Sequence, residues 1–198
     1  IRMRLVGSEM CIRDSTKNVY SKGMFENVCL AIKVALDLNI DKKVIQKALP
    51  FLSFEGRFQY LNKGKIKFKL NRNESIMIDG AHATADAQNL ASYLKKIKVP
   101  KYGIWAMTKN KDPDLFIKQL KGIFKKIITM PIENEISSVS AQELYKVATE
   151  NKFNVEKSDN FAQALKKISS KEKKLIVCFG SLYNLSLIHI SEPTRRIL

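Results

Sequence analysis

Short apolar runs alternate with stretches of helical spacing through the second half of the chain, and this alternation constrains the fold more than any other feature. Ile76–Asp79, Gly103–Met107, Ile127–Pro131 and Leu175–Phe179 are runs of four or five residues, and a further short strand is expected near Phe153–Val155. Between them, Ala85–Lys96, Pro113–Phe124, Ala141–Asn151 and Asn160–Ile168 repeat apolar residues at helical intervals. Strands of this length alternating with helices of ten or so residues predict βαβ units and a mostly parallel sheet. Right-handed crossovers then place helices on both faces, so the expectation is an α/β fold with a Rossmann-like sheet.

The ends of the chain read differently. Leu5–Ser15 is LVGSEMCIRDS and Leu185–Arg195 is LSLIHISEPTR. One choice of codons for the first segment, read as its reverse complement, encodes the second. Both resemble translated transposase adaptor from sequencing libraries. Residues 1–15 and 185–198 are therefore expected to be adaptor-derived, and such scars carry no fold information. The apolar tail from Leu175 onward then shrinks to a short buried strand, and no membrane segment is expected.

Setting the ends aside removes His189 and Cys11, which leaves His82 as the one histidine of residues 16–184. Cys29 and Cys178 sit in apolar patterns and are expected to be packed free thiols. That suits a reducing cytosol, with no disulfide framework and no zinc site. Each end segment carries one net positive charge, so about +14 of the formal +16 belongs to the remainder. The lysines are scattered, as at Lys95-Lys96, Lys125-Lys126 and Lys171–Lys174, and do not form a stripe interleaved with aromatics. A solvated surface is favoured over a nucleic-acid-binding face, and binding of small anions is compatible with the charge.

Before the alternating region, Phe25–Leu38 has helical spacing and ends before Asn39. Asp41 can cap a second short helix that Pro50 stops. Residues 16–52 read as the helical tail of a preceding domain, and 53–184 as the domain that holds the sheet. Phe58–Leu61 and Ile66–Leu70 alternate apolar with polar residues like strands of a hairpin around Asn62–Lys65.

Four motifs carry the chemistry. Ile76–Ala87, IMIDGAHATADA, runs from a buried strand through Asp79-Gly80-Ala81-His82 into a helix. It delivers a carboxylate and an imidazole to a strand's C-terminal end beside a helix N-terminus, where α/β sheets bind ligands. Read structurally, Asp79 would cap that helix. Upstream lies Gly56-Arg57-Phe58-Gln59, either a simple turn or an arginine able to grip a phosphate bidentately. Phe179-Gly180-Ser181-Leu182-Tyr183 closes the last strand. Asn27 follows Phe25-Glu26 at the start of the first helix. A fifth run, Lys109-Asn110-Lys111-Asp112, is explained by Asp112 capping a helix with Pro113 at its first position.

Taken in order, these motifs resemble folylpolyglutamate synthase/dihydrofolate synthase of the Mur ligase superfamily, in its C-terminal portion. The resemblance covers nearly all of residues 16–184. It implies a Mur ligase C-terminal domain preceded by a short helical remnant of the central ATP-binding domain. The implied activity is ATP-dependent addition of L-glutamate to folate or dihydropteroate, by a full-length cytoplasmic monomer. The implied site has Asn27, Arg57 and Asp79 on the ATP side, and His82 and Ser181 on the glutamate side, with His82 as the catalytic candidate. Magnesium ligands and the Gly-rich phosphate loop belong, on this view, to an N-terminal part outside this chain, which is then inactive alone. Two departures stand out. Ala83 and Thr84 replace the usual Asn-Pro after the histidine, and Gly23 and Met24 replace His-Gln before Asn27. The Gly180–Tyr183 string disfavours the related muramyl peptide ligases. The other alternative is a basic α/β nucleic-acid-binding module without enzymatic activity.

Overall fold

The computed structural model describes residues 16, 19–62, 66 and 69–181. Both adaptor-like segments, and Leu182 and Tyr183 of the last motif, lie outside the described residues. The chain divides into two compact units between Glu55 and Gly56.

The first unit is helical. Helix α1 (Lys22–Asp37) begins earlier than the apolar spacing suggests because Ser21 caps it, accepting the Met24 N–H at 3.2 Å. It ends where Asn39 turns left-handed (φ 59°). The Asn39 and Ile40 N–H groups then return to the Leu36 and Ala35 carbonyls, both at 3.0 Å, which closes the last turn. Asp41 caps α2 (Lys42–Ala48) by accepting the Lys43 N–H at 2.6 Å. Pro50 does not stop the chain at once. It sits in a 3-10 turn, Leu49–Phe51, where a residue without an N–H is tolerated. Val28 and Leu49 are buried, packed by Phe25, Ile32, Leu52 and Phe54.

The second unit is a six-stranded sheet with helices on both faces. Its strands are β1 (Gln59–Tyr60), β2 (Glu74–Asp79), β3 (Lys101–Trp105), β4 (Lys126–Thr129), β5 (Val155–Lys157) and β6 (Lys174–Phe179), in the order β1-β2-β6-β3-β4-β5. Only β1 runs antiparallel to its neighbour. The crossover helices are α3 (Thr84–Lys95), α4 (Pro113–Lys118), α5 (Ala141–Glu150) and α6 (Phe161–Ile168). The connections β2–α3–β3, β3–α4–β4 and β4–α5–β5 all run the same way across the sheet. The β5–α6–β6 connection runs back, so a constant right-handed crossover puts α6 on the opposite face.

Strand periodicity separates two cores. Ile76, Ile78, Ile104, Ile128, Ile176 and Cys178 face α6, whose Phe161, Ala164, Leu165 and Ile168 recur at helical spacing and are buried. On the other face the Phe179 ring stacks with Phe124, Phe116 and Trp105, at centroid distances of 5.0, 6.1 and 6.4 Å. Cys178 is a buried free thiol whose ionisation is pushed far up by desolvation, and the Cys29 side chain is half-buried.

Three expectations need correction. Ile66 and Lys69 are helical, not strand, Lys67 and Phe68 lie outside the described residues, and β1 pairs with β2. Ile66 and Leu70 lie four residues apart, which suits one helical turn as well as a strand, and both pack on the α6-side core. The helix expected over 113–124 ends at Lys118. The chain continues in three-residue turns, Leu120 to Ile117 and Ile123 to Leu120, around Gly122 with φ 75°. The strand expected near 153–155 begins at Val155. Lys152 turns left-handed (φ 63°), and the Phe153 N–H is spent on the Ala148 carbonyl in the α5 cap.

Candidate functional site

Parallel register brings the strand ends into line. Asp79 pairs with Phe179 and Phe179 with Trp105, so the last residues of β2, β6 and β3 sit side by side at the C-terminal edge. Beyond them the chain leaves through Gly80–His82 into α3, and through Gly180-Ser181 from β6.

Asp79 is a clasp between two motifs. Its side chain is almost fully buried. One carboxylate oxygen accepts the Phe58 N–H at 2.9 Å and the other the Ala81 N–H at 2.8 Å. The Gly80 N–H donates to the Gly56 carbonyl at 2.6 Å, and the Gly56 N–H donates to the Gln59 side chain at 2.8 Å. Gly56 (φ 67°) and Phe58 (φ 47°) are both left-handed. A phenylalanine takes that conformation at a cost, which the Asp79 bond and burial against Tyr93 (ring centroids 4.8 Å) offset. Burial pushes the Asp79 carboxyl up to about 6, against the two N–H donors and the nearby Arg57 guanidinium, which favour ionisation.

The clasp leaves Arg57 and His82 at the surface, each with about a third of its side chain exposed. The His82 Nδ1 lies 2.8 Å from the Gly80 carbonyl, which can only accept, so the proton is on Nδ1 and Nε2 is left for a ligand. Asp86, in the first turn of α3, lies 3.6 Å from an Arg57 guanidinium nitrogen and 3.9 Å from His82 Nδ1. Sequence reading passed over Asp86. Its signal was the four-residue spacing from His82, which brings the two together across a helix start. Ala83 occupies the cap position of α3 and supplies no side-chain cap to the first-turn N–H groups.

Ser181 is buried directly after Gly180. Gly180 has φ 104°, and a Cβ there would meet the Ala106 carbonyl oxygen at 2.3 Å and the Trp105 ring at 2.7 Å. Only glycine fits. Asn27 is exposed on α1 of the first unit. The Lys109–Asp112 run has a structural account: the Lys109 N–H donates to Ser137 O, and Asp112 caps α4 through the Asp114 and Leu115 N–H groups. Among the described residues no group of three or more His, Cys, Asp or Glu could hold a metal ion. No described helix is long and apolar enough to cross a membrane.

A family profile described as dihydrofolate synthetase, C-terminal domain, matches residues 62–188. The chain belongs to this family. Solved structures share the fold of its members. Mycobacterium tuberculosis folylpolyglutamate synthase, solved with ADP and AMPPCP, is 17% identical with a TM-score of 0.71, over 85% of this chain and 40% of that one. Escherichia coli FolC, solved with DHPP and ADP, is 18% identical with a TM-score of 0.68, over 87% and 39%. The bifunctional folylpolyglutamate synthase/dihydrofolate synthase of Yersinia pestis, solved with AMPPNP and a Mn ion, is 16% identical with a TM-score of 0.69, over 88% and 41%. The chain thus spans about two-fifths of the length of these relatives. No curated protein matches the sequence. The mostly parallel α/β sheet predicted from the alternating pattern is the fold of this dihydrofolate synthetase C-terminal family.

Proposed function

We propose that this chain is the C-terminal part of an ATP-dependent ligase that adds L-glutamate to folate or dihydropteroate. The observation that carries the reading is the placement of Arg57 and His82 around Asp86, beside the Asp79 clasp at the C-terminal strand ends of a domain from this family. In such a reaction the γ-phosphoryl group of ATP passes to the acceptor carboxylate, giving an acyl phosphate and ADP. The glutamate amine then attacks the acyl carbon, the amide forms and phosphate leaves. Catalysis of this kind rests on positioning and on stabilising charge.

Each residue has a part in this proposal. Arg57 offers a guanidinium to a phosphate, which it can grip with two parallel bonds. Asp79 faces the nucleotide ribose, although its two oxygens also hold the Phe58 and Ala81 N–H groups. His82 Nε2 and Ser181 orient glutamate, and Asn27 contacts the adenine nucleotide. Magnesium, when bound, neutralises phosphate charge. Its ligands and the phosphate loop are assigned to a preceding part of the enzyme. Residues 16–52 are read as the end of the central domain and 53–184 as the C-terminal domain. The exposed Leu30, Leu38, Val44 and Phe51 of the first unit suit a surface that more of that domain covers.

The test is an assay of the full-length gene product with ATP, L-glutamate and either dihydropteroate or a folate. ATP-dependent glutamate addition is expected, and its absence with both acceptors overturns the reading. Arg57→Ala should raise the KM for ATP about tenfold or more, the scale of a charge-assisted hydrogen bond. The 198-residue chain alone should show no turnover.

A further inference from the structure

Asp86 stands in an unusual place for a first-turn acid. A carboxylate there commonly serves the helix dipole or a capping box. Here the cap residue is Ala83, which offers no side chain to complete a box. The Asp86 carboxylate points instead at two groups from different parts of the chain: Arg57, ahead of β1, and His82, ahead of α3. Both separations, 3.6 and 3.9 Å, exceed those of direct charge-assisted hydrogen bonds. All three side chains are about a third exposed, so solvent and ligands reach them. The same negative charge faces the buried Asp79 and helps to hold its carboxyl up. One loosely held carboxylate therefore lies between a guanidinium and an imidazole, at the first turn of α3.

We propose that Asp86 is an internal counter-anion: it positions Arg57, with His82 beside it, and gives up the guanidinium when the phosphate of a nucleotide binds Arg57. This rests on the reading of the corner as the nucleotide side of a ligase. Asp86 is a positioning residue that tunes affinity. The loose geometry keeps its hold weak enough for a phosphate, which offers more oxygens and more charge, to replace it.

The experiment labels arginines of the 198-residue chain with phenylglyoxal. Labelling is read at Arg57 by peptide mass spectrometry, with exposed Arg72 as the internal reference. Asp86→Asn should speed Arg57 labelling about threefold relative to Arg72, the scale of a part-exposed ion pair, while Asp86→Glu keeps the rate near that of the parent. Inorganic pyrophosphate should protect Arg57 at about threefold lower concentration in Asp86→Asn. Equal labelling rates in the folded parent and Asp86→Asn, or an unchanged pyrophosphate requirement, overturn the proposal. ADP separates the two levels of the argument. Protection by ADP with equal labelling rates leaves the nucleotide reading and removes the role of Asp86. Faster labelling with shifted pyrophosphate protection but no protection of Arg57 by ADP in the full-length gene product keeps Asp86 as counter-anion and removes the nucleotide reading.

Discussion

The Phe58 N–H and the Asp79 carboxylate, twenty-one positions apart in the chain, are joined by a 2.9 Å hydrogen bond that pins a left-handed phenylalanine to the end of the second strand. The bond explains why the arginine motif and the histidine motif reach the surface together. Arg57 is the residue before Phe58, and His82 leaves the strand by the turn that the other Asp79 oxygen holds.

The clasp carries a pH signature. Asp79 ionises near 3.8 in an unfolded chain and near 6 in the fold, because burial penalises its charge. The folded state therefore holds more protons between those values. The Asp79 contribution to stability is greatest below about pH 4, falls as pH rises to about 6, and then levels, with a total of about 3 kcal/mol. Asp79→Asn cannot ionise and removes this slope. It also turns an N–H donor toward one of the two backbone donors, at a cost of about 1–3 kcal/mol. Urea unfolding of both proteins from about pH 4 to 7 should show the advantage of the parent over Asp79→Asn shrinking by about 3 kcal/mol. A constant difference refutes this account.

Gly180 and Gly122 make a matched pair. Both have positive φ, 104° and 75°, yet a Cβ at 180 meets the Ala106 carbonyl oxygen at 2.3 Å and one at 122 meets nothing within 4 Å. Gly122→Ala should cost about 1 kcal/mol from backbone strain alone. Gly180→Ala adds a backbone collision and should cost about 3 kcal/mol or more, and it should displace Ser181. Thermal unfolding of the two variants ranks them, and equal losses would show that the strand end yields where the geometry says it cannot.

Much of this was legible before the structure. The isoleucine runs marked the central strands because residues buried on both faces leave no polar alternation, and Asp112-Pro113 marked a helix start that the structure places there. The helix-strand ambiguity at Ile66–Leu70 was not resolvable, since spacings of two and four residues serve both periods. The insertion of β6 between β2 and β3 was not legible either, because pairing between segments a hundred residues apart leaves no local pattern. At the site, the sequence marked Arg57, Asp79 and His82 as candidates. That Asp79 spends both oxygens on backbone, and that Asp86 faces Arg57, depend on the left-handed turn at Phe58, which nothing in its neighbours announces.

Ala83 is an opportunity for stabilisation. It holds the extended conformation of a cap residue, φ −115° and ψ 160°, without a side chain able to cap. Ala83→Asn should accept a first-turn N–H and add about 1 kcal/mol. Thr84 is the first helical residue, and the extended Ala83 before it suits a following proline, so Thr84→Pro should add about 0.5 kcal/mol. The double variant should raise the melting temperature by about 4 °C. No increase would mean that the first-turn N–H groups already have partners of equal worth.

Glu74 and Lys174 lie at the opposite end of the sheet, both side chains at most 1% exposed. The Lys174 ammonium donates to the Ile168 carbonyl at 2.7 Å and to Ser170 Oγ at 2.5 Å, and it lies 3.7 Å from Glu74. Glu74 accepts the Ser170 N–H at 2.8 Å and the Asn71 N–H at 3.0 Å. Burial pushes its carboxyl up, but these donors, the Ser169 hydroxyl and Lys174 together outweigh burial and leave it below its usual range. A lowered carboxyl stabilises the fold above its unfolded value near 4.5, and that contribution is lost as pH falls further. Lys174→Ala leaves Glu74 buried with its charge unmatched and should cost about 3–5 kcal/mol. The paired change Glu74→Gln with Lys174→Met should recover most of that loss, because the charge left behind is what costs, and it should also flatten the acid limb of the stability curve. Urea midpoints of the single and double variants decide it: a double variant no better than Lys174→Ala would show that the hydrogen bonds of Lys174, and not the balance of charge, hold this end of the sheet.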